Sequence, residues 1–152
     1  MSKTSYKLRK VNIKDLDLIY AWSNNPLVRK NSFDKNKISL LKHENWFKNI
    51  LRKKDSIFIF CKKDLPLGLI RFVYFNRGLK ISYMISKDFR GKGIAKIMIK
   101  EFIKKIRKKN LYRTKKIFAF VINKNYASSI TLENSGFIYS GLKYGSHCYI
   151  NI

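Results

Sequence analysis

Ile81-Ser82-Tyr83-Met84-Ile85-Ser86-Lys87-Asp88-Phe89-Arg90-Gly91-Lys92-Gly93-Ile94-Ala95 leads from an alternating apolar run into a turn with two glycines and then into a segment of helical periodicity. To about Lys108, Ile94, Met98, Phe102 and Ile106 form one apolar row with Ala95, Ile99 and Ile103 beside it, and the other side is basic. The reading is strand, turn, amphipathic helix. Successive backbone N–H groups at the start of such a helix point at whatever lies above them, so Arg90 to Ala95 forms an anion seat. Glycine at 91 and 93 keeps the approach to that seat open and permits a positive φ. No Gly-Lys-Ser/Thr ends the segment and no G-x-G-x-x-G spacing is present, which separates it from the P-loop and from the dinucleotide fingerprint.

Upstream, Tyr6 to Val11 alternates as a first strand, and Asn12 is placed to cap a helix from Ile13 to about Trp22 with Ile13, Leu16, Ile19 and Tyr20 at helical spacing. Asn24-Asn25-Pro26 stops it, and a loop runs through Arg29 and Phe33. A helix from Ser39 to about Arg52 follows, with Leu40, His43, Phe47, Ile50 and Leu51 inward. Ile57 to Lys62 and Leu67 to Phe75 read as strands joined by a turn around Asp64-Leu65-Pro66. Asn76-Arg77-Gly78 is the next turn and Leu79 to Ile85 the next strand, completing a meander. Downstream come a strand from Lys116 to Ile122, a short helix from Asn125 to Asn134, and terminal strands at Phe137 to Ser140 and His147 to Ile150. Strands before and after a central helix predict an α/β fold, a mixed sheet with helices on its faces.

The length of 152 residues suits one domain, 1–152, and a hydrophobic fraction of 45% with two prolines excludes a disordered or low-complexity chain. Apolar runs are far shorter than the roughly 20 residues of a membrane span, and Met1 to Lys7 has no apolar segment of a leader peptide, so a soluble cytoplasmic protein is expected. Cys61 and Cys148 have no partners at metal spacing and read as thiols buried in strands; no metal is expected. The balance of 34 basic against 9 acidic residues gives +25, a field that draws anions of any kind. With 26 lysines to 8 arginines amid many Ile, Asn, Phe and Tyr, the composition fits an AT-rich coding sequence as well as it fits selection for nucleic acid. The stripe Lys92, Lys96, Lys100, Lys104, Lys108 reads as a solvated helix face, with Lys92 near enough to the turn to meet a phosphate.

The stretch from Ile81 to Ala95 resembles motif A of the GNAT family of N-acetyltransferases, Q/R-x-x-G-x-G/A, with Arg90, Gly93 and Ala95 in its fixed places. Val121 to Ser128, then Leu132 and Gly136-Phe137, is similar to motif B, the N-x-x-S … G-F segment. The resemblance spans essentially the whole chain. It implies the GNAT fold, a mostly antiparallel sheet whose central strands splay apart, and acetyl-CoA as acetyl donor. Its pyrophosphate would rest on the amides of Arg90, Gly91, Lys92, Gly93, Ile94 and Ala95, and its pantetheine would pair with the strand backbone at Tyr83, Met84 and Ile85. Asn125 and Ser128 would hold the other side.

Within the family, Ala21 to Phe33, His43-Glu44-Asn45-Trp46-Phe47 and Gly68 to Phe72 resemble acetyltransferases of nucleotide-linked amino-sugar pathways, those of pseudaminic and legionaminic acid synthesis. That implies a small-molecule acceptor, the free amine of a UDP-linked 4-amino-4,6-dideoxy sugar, attacking the thioester directly in a ternary complex. A backbone N–H near Met84 or Ile85 would stabilise the oxyanion. Arg29 and Arg71 suit phosphate through the guanidinium fork, and Asn24 and Trp46 belong to the same acceptor motifs, although Trp22 and Trp46 also suit a core. Where many relatives carry a glutamate base this chain has Lys80, and where they carry a tyrosine acid it has Leu132. His43 or a water chain is left as base, with a buried structural role for His43 as the alternative; Tyr126 or Tyr139 is left as acid. The competing functions are a peptide or ribosomal-protein N-terminal acetyltransferase and a nucleic-acid-binding protein on a degenerate fold. Against the latter no stacking platform of aromatics is evident, so no specific nucleic acid and no membrane partner is expected, and a monomer or homodimer is.

Overall fold

In the computed structural model residues 5–53, 56–108 and 116–152 are described; Met1 to Thr4, the first part of the stretch read for a leader, lies outside them. The elements are β1 (Tyr6–Lys10), α1 (Leu16–Ser23), α2 (Pro26–Lys30), α3 (Leu40–Arg52), β2 (Ile57–Lys62), β3 (Leu65–Phe75), β4 (Gly78–Ile85), α4 (Ile94–Lys108), β5 (Ile117–Val121), α5 (Tyr126–Asn134), β6 (Ile138–Lys143) and β7 (Ser146–Asn151). Seven strands form one sheet in the order β1-β2-β3-β4-β5-β7-β6. Every neighbouring pair is antiparallel except β4 and β5, which are parallel. The α/β reading with a mixed sheet holds. Among the described residues no helix is long and apolar enough to cross a membrane.

Both faces of the sheet are covered, which explains why β2 is a continuous apolar run rather than an alternating one. Phe58 and Phe60 face α4 and join Ile70, Phe72, Met98 and Phe102 in the larger core. Ile59 and Cys61 point the other way, to Ile19, Phe47 and Leu69 under α1 and α3. Both cysteines are buried free thiols. The same alternation in β3 places Arg71 on the face of Leu69, toward α3, and in β4 it sends Tyr83 toward the larger core and Met84 toward the smaller.

The central pair controls the architecture of the site. β4 pairs with β3 along its whole length, from Gly78↔Phe75 to Ile85↔Gly68, and β5 pairs with β7 from Ile117 to Val121. Between themselves β4 and β5 share only Leu79↔Ile117, Lys80↔Phe118 and Ile81↔Ala119. From Ser82 to Ile85 the edge of β4 that faces β5 has no strand partner, and the sheet opens there into a V. Gly68 supports that opening from behind: a Cβ at this position would lie 2.5 Å from the Met84 carbonyl oxygen.

Some boundaries differ from the sequence reading, each for a local reason. Asn24-Asn25-Pro26 ends one helix and starts another, because the Asn25 side chain accepts from the Leu27 N–H and Pro26 fills the first turn of α2, where a missing N–H is harmless. The expected Asp64-Leu65-Pro66 turn is Lys63-Asp64, with Lys63 at φ 54°, and Leu65 and Pro66 belong to β3. The expected terminal strand ending at Ser140 continues to Lys143, since Gly141, at φ 91°, is accommodated as an irregularity between Tyr139 and Leu142. Ile13 and Leu40, expected inward, are 62% and 47% exposed. Ile13 belongs to a 3-10 turn, Ile13–Asp15, that precedes α1.

That turn is held by a contact the periodicity does not reveal. Arg9 of β1 donates twice to Asp15, from Nη1 at 2.8 Å and Nη2 at 2.7 Å, and the Asn12 N–H donates to the same carboxylate at 2.9 Å. Burial pushes the Asp15 carboxyl up, but the Arg9 and Asn12 bonds outweigh it and hold it below the ordinary carboxylate range. Its contribution is therefore complete above the unfolded value of about 3.9 and is lost as pH falls through the lower folded value. We expect Asp15→Asn to lose about 2–3 kcal/mol at pH 7, the low side of breaking a buried pair because Arg9 keeps contact with water. Denaturant unfolding should show the gap from wild type closing below about pH 4. Gly68→Ala should cost about 1–3 kcal/mol in the same assay, the usual range for overpacking, because the Met84 backbone must move.

Candidate functional site

The V between β4 and β5 opens into two adjoining depressions that share Val28, Asn31, Ser32, Tyr83, Met84, Asn125 and Ser128. One, of about 500 Å³, runs along the start of α4 past Arg90, Gly91, Gly93, Ile94, Ala95 and Lys96. The other, of about 400 Å³, lies under α3 and the 31–38 loop and is lined by Arg29, Asp34, Lys42, His43, Trp46, Arg71 and Ser82 among others. Each half is built by different parts of the chain.

The first half contains the helix start that the sequence reads as an anion seat. Gly91 and Gly93 stand at φ 72° and 73°, in the left-handed region, and a Cβ at either would meet nothing within 4 Å. Conformation, not crowding within the chain, is what glycine supplies here. Arg90 turns its side chain away from the seat: Nε donates to the Ile85 carbonyl at 3.0 Å and Nη1 to the Asn25 side chain at 3.2 Å. It thereby ties the loop to the end of β4 and to the cap of α2. The first N–H groups of α4 have no carbonyl within their own helix, and the helix adds about half a positive charge at that end. Lys92 is exposed over the Phe89 ring and is not part of the lining. Lys96, one of the exposed lysines of the α4 stripe, does line this half. Its place one turn into α4 could have been read from the spacing to Gly93.

At the junction Tyr83 reaches from β4 to α5, its hydroxyl 2.6 Å from Ser128 Oγ. Burial pushes the Tyr83 phenol up, partly offset by the Ser128 bond. Asn125 caps α5, its side chain accepting from the Ser128 N–H. Leu132, in place of a polar residue, is fully buried in the wall.

In the second half the two arginines differ. Arg29 is committed to its own loop: Nη1 donates to the carbonyls of Asp34 and Asn36 and Nη2 to Ser32 Oγ, while Nε is buried with no hydrogen-bond partner among the described residues. Asn24 likewise uses both polar atoms on the Ile38 backbone, accepting its N–H at 2.8 Å and donating to its carbonyl at 2.9 Å. These two residues brace the 31–38 segment over the cleft. Arg71 is different. Half-buried at the cleft wall, its guanidinium lies 5.9 Å from the Trp46 ring centre, and among the described residues no carboxylate pairs with it. Burial draws its pKa down from the ordinary value, though it remains charged at neutral pH. Trp46 thus serves as a partly buried platform and not as full core.

His43 lines the same half but is 2% exposed, its Nε2 donating to the Leu16 carbonyl at 2.9 Å and its ring packed by Tyr20, Trp46 and Phe47. Tyr126 is 70% exposed at the start of α5, and the Tyr139 hydroxyl meets His147 on the terminal hairpin; neither lines the cleft. Lys80 points to the Phe75 ring. Among the described residues Asp34 is the one carboxylate of the lining, and it accepts the Asn36 N–H and faces Lys42 at 3.9 Å. No group of His, Cys, Asp and Glu among the described residues is arranged to hold a metal.

Solved structures share this architecture. A spermidine N-acetyltransferase from Vibrio cholerae, bound to CoA and spermine, superposes with a TM-score of 0.80 at 19% identity, over 97% of this chain and 94% of that one. The aminoglycoside acetyltransferase AAC(6')-Ib bound to CoA gives 0.80 at 16% over 96% and 93%. An N-acetyltransferase from Staphylococcus aureus Mu50 gives 0.79 at 20% over 97% and 98%. No curated protein is recognisably similar in sequence. The model of the acetyltransferase (GNAT) domain matches residues 6–138, from β1 into β6, and so takes in the parted strands, the α4 loop and the α5 cap alike. The chain belongs to the GNAT acetyltransferases.

Proposed function

We propose that this acetyltransferase moves the acetyl group of acetyl-CoA onto the amine of an anionic small molecule, a nucleotide-linked amino sugar of the UDP-4-amino-4,6-dideoxy type. The observation that carries this reading is Arg71, a guanidinium stacked over Trp46 at the cleft wall with no counter-ion among the described residues. A partly desolvated cation of this kind is stabilised by a ligand that brings negative charge, and its planar fork matches a phosphate. Trp46 beside it offers a flat apolar surface for a sugar or base ring.

The relatives in complex with spermine and with aminoglycosides bind polycations. The cleft here has the opposite character, since Arg29, Lys42 and Arg71 line it against Asp34 alone. A polycation entering it would meet like charge, whereas a diphosphate would be drawn in by the field of a chain with net charge +25.

On the donor side the α4 amides from Arg90 to Ala95 hold the pyrophosphate, and the unpartnered edge of β4 at Tyr83 to Ile85 offers backbone groups to the pantetheine arm. Arg29 and Asn24 act through the loop they brace. The neutral amine attacks the thioester carbonyl directly, and an N–H at Met84 or Ile85 lies on the edge where the oxyanion develops.

Two measurements bear on this reading. Calorimetry should show acetyl-CoA binding to the wild type, weakened at least about tenfold in Gly93→Asp, where a carboxylate is added to the anion seat and a side chain is forced to positive φ. Arg71→Ala should raise KM for the UDP-amino sugar about ten- to a hundredfold while the Kd of acetyl-CoA stays within about threefold, since one charge-assisted contact is worth about 1.5–3 kcal/mol. Ready acetylation of spermidine or of N-terminal peptides, with no turnover of the nucleotide sugar, would reject the acceptor assignment.

A further inference from the structure

Acetyl transfer moves one proton from nitrogen to sulfur, and the cleft lacks the groups usually suited to it. Asp34 is exposed and already bonded, His43 is 2% exposed with its Nε2 donating to the Leu16 carbonyl and its ring packed by Tyr20, Trp46 and Phe47, and Tyr126 and Tyr139 lie outside the lining. Of the hydroxyls where the two halves meet, Ser32 Oγ is already engaged, donating to the Val28 carbonyl and accepting from Arg29, which leaves the pair Tyr83 and Ser128.

Tyr83 stands two residues beyond Ile81, the last residue of β4 that pairs with β5, and so within the opening of the V. Ser128 belongs to α5, across that opening, with its N–H held by the Asn125 cap. Their oxygens are 2.6 Å apart, a short O–H···O bond in which either can donate. Both residues line both halves of the cleft, and Tyr83 is the one tyrosine in either lining among the described residues.

We propose that Tyr83 and Ser128 form a two-hydroxyl shuttle that carries the proton of the attacking amine to the departing sulfur. The amine lone pair forms the C–N bond and the C–S bond breaks with its electrons on sulfur. Tyr83 gives its proton to that sulfur, Ser128 gives its own to the Tyr83 oxygen, and the nitrogen's surplus proton passes to Ser128. Both hydroxyls end as they began, one proton has moved from nitrogen to sulfur, and no other reactant is consumed. Burial keeps the Tyr83 phenol protonated but makes it a weaker acid, so it releases its proton to sulfur only as it gains the proton of Ser128, in one concerted relay. The shuttle rests on acetyl transfer at this cleft and not on the identity of the acceptor.

The test uses the full chain with Tyr83→Phe and Ser128→Ala, first checked by thermal melting and by acetyl-CoA calorimetry. Titration of CoA bound to each protein, followed by thiolate absorbance, needs no acceptor. Loss of a hydroxyl donor beside the sulfur should raise the thiol pKa in Tyr83→Phe relative to wild type. With an amine that the wild type acetylates, kcat should fall about a hundredfold in Tyr83→Phe and about tenfold in Ser128→Ala, where water partly substitutes. The double variant should be no slower than Tyr83→Phe alone, as expected of residues acting as a unit. An unmoved thiol titration, a Tyr83→Phe variant with more than half the wild-type kcat, or an equal loss in Tyr126→Phe or Tyr139→Phe would overturn the shuttle. Should Tyr83→Phe not fold, an unchanged Ser128→Ala overturns it instead. A nucleotide sugar that is not turned over, beside a thiol titration that shifts as described, removes the acceptor assignment and leaves the shuttle standing.

Discussion

β4 and β5 hold one another through three residue pairs and then part, while each stays fully paired to its outer neighbour. That geometry is expensive unless something occupies the opening, because backbone N–H and C=O groups on the inner edge of a sheet are ordinarily bonded. Here the opening is framed by elements that converge on it. α5 closes the far side through Ser128 and its Asn125 cap, Arg90 fastens the Ile85 carbonyl at the bottom, and Gly68 lets β3 come close behind Met84. The site is the place where sheet hydrogen bonding is interrupted and its groups are offered to a ligand.

The walls of that opening divide the work by the chemistry of their residues. On the α4 side the wall is backbone, with positive-φ glycines and a helix start, and side chains such as Arg90 act on the chain itself. On the α3 side it is side chains, because β3 alternation sets Arg71 on the face that carries Trp46. In this cleft Arg71 is partly desolvated and has no carboxylate partner among the described residues, whereas the lysines of the stripe are exposed. Lys92, just before α4, and the exposed Lys100, Lys104 and Lys108 along it do not line the cleft, and Lys96 alone of that stripe does.

The sequence by itself determined the sheet, the helices that cover it and the glycine turn before α4, because these follow from local rules. Period-two and 3.6-residue patterns specify which side of an element is apolar, and glycines at 91 and 93 specify a turn before a helix. The continuous run of β2 and the Asn25-Pro26 step are equally local, although the latter carries a stop and a start in the same residues. What only the tertiary structure decided concerns partners distant in the chain. Arg29 and Arg71 are alike as residues, yet the first is bonded to the carbonyls of its own loop and the second has no counter-ion among the described residues, a difference no spacing encodes. Asp15, within the stretch the spacing reads as a helix, is buried against Arg9 of the neighbouring strand, a pairing the spacing does not show. Tyr83 reads as one more strand aromatic, and its hydroxyl gains meaning from Ser128, 45 residues away. The charge state and bonding of a polar side chain depend on what the fold brings within about 3 Å of it, and that is settled by packing between elements, not by order along the chain.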